Sequence, residues 1–91
     1  MLTDRTLVGQ LKNIGPTVAR RLLEIGVKTR QDLNSVGSVA AYRHISANYP
    51  EKHFPVCYYL YWLEGAVRDQ HWNAIPERVK RSLQRQVDAG I

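Results

Sequence analysis

The chain has 91 residues, 44% of them apolar, and a formal charge of +5 from nine arginines and four lysines against eight acids. At this length one domain, 1–91, is expected, burying roughly 60 to 65% of its unfolded surface, and the positive balance points towards polyanions or acidic protein surfaces. One cysteine, Cys57, excludes an internal disulfide framework, and no apolar run reaches the roughly 20 residues of a membrane span. The N-terminal "MLTDRTLVGQ" lacks the build of a signal peptide, so a soluble, cytoplasmic protein is expected.

In chain order the pattern is helical. Thr3 and Asp4 can cap a first helix carrying Leu7, Val8 and Leu11 and ending near Asn13. Pro16 suits the first position of a second helix, with Val18, Ala19, Leu22 and Leu23 as its apolar face and Gly26 as its end. Thr29-Arg30-Gln31-Asp32 resembles a capping box for a short third helix closed by Gly37. Ser38 can cap a fourth, running to about Asn48. "NYPEKHFP" reads as a loop, after which Pro55 can open a fifth helix, apolar on nearly every side and therefore central. A sixth begins near Pro76, with Val79, Leu83 and Val87 inward. The fold expected is all-α, a compact bundle of five or six helices without a sheet.

The turn Asn13-Ile14-Gly15-Pro16 has a local rationale. A short connection between helices needs backbone positions with positive φ, which Asn13 and Gly15 can supply, while Ile14 tucks into the core. Ala19 is small enough for the preceding helix to approach. Leu11–Ala19 is echoed 22 residues later by Leu33–Ala41, with Arg21 over Arg43; duplication and convergent helix punctuation both account for this. Gly15 and Gly37 are expected at strained positions, so Gly15→Val should destabilise more than Ser38→Ala, by on the order of 1 to 3 kcal/mol. Trp72, at the junction before the last helix, is expected to anchor that turn against the core.

Ile14-Gly15-Pro16, Ala19-Arg20-Arg21 and Gly26 to Leu33 resemble the helix-hairpin-helix of the X-family DNA polymerases. That resemblance implies a hairpin backbone gripping a DNA phosphate, with a monovalent cation able to sit between. Nearly the whole chain is similar to the C-terminal domain of the TfoX/Sxy competence regulators: the hairpin, Asp32-Leu33, Val36-Gly37, Ala41-Tyr42-Arg43, Leu63-Glu64-Gly65-Ala66 and His71-Trp72-Asn73 before Ile75-Pro76. The family's N-terminal domain has no counterpart in these residues. The resemblance implies a helical binding module with a regulatory role.

A helix N-terminus carries unpaired N–H groups and the positive end of the dipole, so Gly15, Thr17 and Val18 can present donors to a phosphate. The residues expected to bind nucleic acid are thus Lys12, Asn13, Gly15, Thr17, Val18, Arg20, Arg21 and Lys28 at the hairpin, and Arg78, Arg81 and Arg85 as a stripe on the last helix. Such contacts would be blind to sequence. The alternative is that the hairpin only turns the chain and the partner is another protein. Tyr58, Tyr59, Tyr61 and Trp62 can stack on bases, or belong to the core, and Glu64 with Arg68 is a helix ion pair. His44, His53, His71 and Cys57 are too scattered for a metal or Cys–His site, so no cofactor and no enzymatic activity are expected.

Overall fold

Six predicted helices become five in the computed structural model, which describes residues 2–52, 54 and 56–89: α1 Pro16–Glu24, α2 Arg30–Val36, α3 Ser38–Asn48, α4 Val56–Arg68 and α5 Glu77–Asp88. Single 3₁₀ turns stand at Val8–Gln10 and Trp72–Ala74. Among the described residues there is no strand, and no helix is long and apolar enough to cross a membrane.

The helix expected from Thr3 to Asn13 does not form. Leu7 is extended and makes an antiparallel bridge with Thr29. The Val8 N–H donates to the Lys28 carbonyl (3.0 Å) and the Arg30 N–H to the Thr6 carbonyl (2.7 Å). A helix of fewer than three turns is marginal by itself. Here the same backbone groups find partners in the α1–α2 connection, so tertiary pairing displaces the local helix. Val8 and Leu11 still reach the core, and Gly9 lies against Ala19, where a β-carbon on Gly9 would sit 3.6 Å from the Ala19 Cβ.

Helix punctuation follows the expected chemistry at α1 and α2. Pro16 opens α1, and Gly26, at φ 83°, closes it: its N–H bonds the Leu23 carbonyl and the Val27 N–H that of Leu22, while Leu22 and Val27 are both buried. Thr29 and Asp32 form a reciprocal capping box on α2, and Gly37, at φ 86°, separates α2 from α3. Ser38 does not cap α3. Gly37 holds that position, and the buried Ser38 hydroxyl instead donates to Glu64 Oε1 at 2.6 Å. The expectation that Pro55 opens α4 lies outside the described residues.

α4 is central, with Leu60 and Leu63 wholly buried and packed with Leu22, Leu33 and Ile45. α3 and α5 lie against it, while α1 packs on α3 and the first 3₁₀ turn. Leu83 is buried in α5, flanked inward by Val79 and Val87. At the turn before α5, the buried residue is Ile75 rather than Trp72, whose ring is only half-buried, between His71 and Lys80.

Candidate binding surfaces

At the turn into α1, where the sequence suggests a hairpin, Asn13 has φ 70°, as expected. Gly15 is not a second positive-φ position: at φ −86° and ψ −179° it is extended, and a β-carbon there would meet nothing within 4 Å. Any residue fits that backbone. The 22-residue echo therefore fails at its aligned glycines, since Gly37 has positive φ and Gly15 does not.

Asn13 is engaged inside the protein. Its Nδ2 donates to the carbonyls of Gln70 (2.9 Å) and Trp62 (3.4 Å), and its Oδ1 accepts from the Trp72 N–H (3.2 Å). This clasp joins the hairpin to the C-terminal end of α4, where Asp69 at φ 56° and a Gln70 N–H bond to the Gly65 carbonyl (2.8 Å) close the helix. Gly65 makes the clasp possible: a β-carbon there would stand 2.3 Å from Asn13 Nδ2 and 2.6 Å from the Gln70 carbonyl. An isolated glycine inside an apolar helix is the one sequence signal for such a close approach. It explains why Glu64-Gly65-Ala66 and His71-Trp72 belong to one pattern with Asn13.

Arg21 is likewise internal. Its Nη1 donates to the Tyr59 hydroxyl at 2.5 Å, and its guanidinium lies 4.9 Å from the Phe54 ring centre and 5.0 Å from that of Tyr49. Cation–π contacts of this kind hold a guanidinium against ring faces. Tyr49 in turn donates to Glu24 Oε1 at 2.5 Å, and that bond to a carboxylate holds its phenol above the usual tyrosine range. Arg20, Lys28 and Thr17 are exposed, Val18 is buried by its side chain, and Lys12 pairs with Asp69 at 3.5 Å on the surface. The Thr17 and Val18 N–H groups have no acceptor among the described residues.

Arg78, Arg81 and Arg85 are all exposed on α5. Arg78 and Arg85 line a groove of α3, α4 and α5, together with Arg43 and Arg68, and no residue of α1 or of the hairpin turn lines it. The two basic faces are therefore separate surfaces. Arg68 Nε binds Glu64 Oε2 at 2.6 Å, the expected ion pair, and Arg43 donates to the Gln86 carbonyl. Arg43 and Arg68 are functional candidates that the sequence pattern did not single out for binding, because they come from different helices and only packing gathers them. Of the aromatic candidates, Tyr59 is buried, Trp62 and Tyr61 are half-buried, and Tyr58 is 49% exposed, tilted against Trp62 and edge-on to Trp72.

A family model described as the TfoX C-terminal domain matches residues 4–87. Among solved structures, an uncharacterized protein from Listeria monocytogenes in a triclinic crystal form superposes with a TM-score of 0.78 at 33% identity, over 87% of this chain and 86% of that one. A protein of unknown function from Listeria monocytogenes, in a tetragonal form, does so with a TM-score of 0.78 at 32% identity, over 89% of this chain and 96% of that one. No curated protein matches the chain.

Proposed function

This chain belongs to the TfoX C-terminal domain family, and from that premise we propose that it is a non-enzymatic, regulatory interaction domain that docks another protein, with its hairpin serving the architecture. One observation carries the reading: Asn13 and Arg21, which a phosphate-gripping hairpin would turn outward, are both engaged in internal contacts. Both are partly buried, and a polar group held by such bonds is costly to withdraw from its partners, so neither meets a ligand without loosening the fold.

A second reading keeps nucleic acid as the partner. The unpartnered Thr17 and Val18 N–H groups and the exposed Arg20 favour it, since together they form the helix-terminus geometry that receives a phosphate, alone or through a monovalent cation. A salt titration with duplex and single-stranded DNA separates the two. A hairpin site would bind in the nonspecific range of about 10⁻⁴ to 10⁻⁶ M, and Arg20→Ala would reduce the slope of log affinity against log salt by about 0.9 for each phosphate it no longer neutralises. Protein docking expects only diffuse attraction, equally sensitive to removal of any exposed cation. Weakening of DNA binding by Gly15→Val, which removes no charge, would overturn it.

A further inference from the structure

We infer that the groove of α3, α4 and α5 receives an acidic, amphipathic helix of a partner protein; this rests on the protein-docking reading and names the partner's chemistry. The groove consists of adjoining depressions, of which the one beside the start of α3 has a volume of about 450 Å³. Its apolar strip is aliphatic. Val39, Val67 and Val79 pack on the core yet remain partly exposed, and Val36, 38% exposed, extends the strip at the end of α2.

The rim is strongly positive. Among the described residues that line it, four arginines, Arg43, Arg68, Arg78 and Arg85, outnumber a single carboxylate, Glu64. Both oxygens of Glu64 are already occupied, by the Ser38 hydroxyl and Arg68 Nε, so it does not repel an incoming acid as a free carboxylate would. The first turn of α3, from Ser38 to Ala40, adds the positive end of a helix dipole, because the first N–H bonded within the chain there is that of Ala41.

An aliphatic floor between cationic rims is complementary to a helix with leucine-like residues on one face and carboxylates along its borders, which is the helix-in-groove mode. A phosphate backbone would satisfy the rim and leave the valine floor wet. Arg78 and Arg85 are seven residues apart on α5, so the rim spans about 10 Å, or two helical turns of a partner.

The probe is a synthetic helix with leucines at i, i+3, i+4 and i+7 and glutamates on the remaining face, titrated into the isotopically labelled full chain. A scrambled peptide of the same composition and a DNA duplex run in parallel. The amphipathic peptide is expected to shift the amide signals of Val39, Val79 and Ser82, and Arg78→Glu with Arg85→Glu to weaken it by about tenfold or more at unchanged melting temperature. Arg20→Glu with Lys28→Glu, an equal charge change at exposed positions away from the groove, should leave affinity close to wild type. Equal binding of the scrambled peptide, or no binding at low salt, overturns the groove assignment. Shifts confined to another surface overturn it while leaving protein docking intact. DNA competing at the same valines overturns both.

Discussion

Gly65 and Asn13 are the residues on which the hairpin's position depends. A β-carbon at Gly65 would stand 2.3 Å from Asn13 Nδ2, so Gly65→Ala must expel the amide from its two carbonyl partners. We expect a loss of about 3 kcal/mol from overpacking and broken hydrogen bonds, read by urea unfolding. Asn13→Ala should then cost much less in the Gly65→Ala background than in wild type, because the two changes remove the same clasp. Additive costs would show that they act separately. The order expected from glycine strain is reversed at Gly15 and Ser38. Gly15 is extended in open space, whereas Ser38 bonds a carboxylate whose side chain is only 14% exposed. Ser38→Ala should therefore cost about 1.5 to 3 kcal/mol, and Gly15→Val less than that. Melting curves of the two variants decide it.

At the scale of elements, α2 is the helix most dependent on its cap, having only seven residues. Asp32 Oδ2 accepts from the backbone N–H groups of Lys28 (3.0 Å) and Thr29 (3.2 Å), which hold its carboxyl below the usual carboxylate range. A depressed folded pKa contributes stability that is fully present above the unfolded value of about 3.9 and is lost as pH falls through the folded one. Asp32→Ala should consequently separate from wild type at neutral pH and converge with it in strong acid, while the Thr29 hydroxyl still accepts from the residue 32 N–H. Denaturant midpoints at several pH values test this, and a constant gap across that range would contradict it.

Across the whole molecule, Arg21 ties α1 to the aromatic groups of the loop and of α4 through Tyr49, Phe54 and Tyr59. Its neighbour Arg20 is exposed. Arg21→Ala should cost about 2 kcal/mol, from its hydrogen bond and cation–π contacts, and Arg20→Ala no more than about 0.5 kcal/mol. Arg20 is thus the informative position for testing DNA binding, because replacing Arg21 also destabilises the fold. Equal, negligible costs for the two arginines would show that the aromatic enclosure contributes nothing.

Local chemistry in the sequence determined the all-α class, the ends of α1 and α2, the inward face of α5 and the central place of α4. Each rests on short-range causes: proline at a helix start, positive-φ glycine at its end, a capping box, and apolar period. Only tertiary structure decided the rest. The first predicted helix gives way because Thr6 and Val8 find backbone partners around Lys28 to Arg30. Arg20 and Arg21 are indistinguishable as neighbours in sequence, yet a helix advances each residue by about 100°, and this turns one towards three rings and the other outward. Gly65 likewise carries no local meaning until Asn13, 52 positions earlier, comes to lie against it, because which surfaces touch is set by packing and not by spacing along the chain.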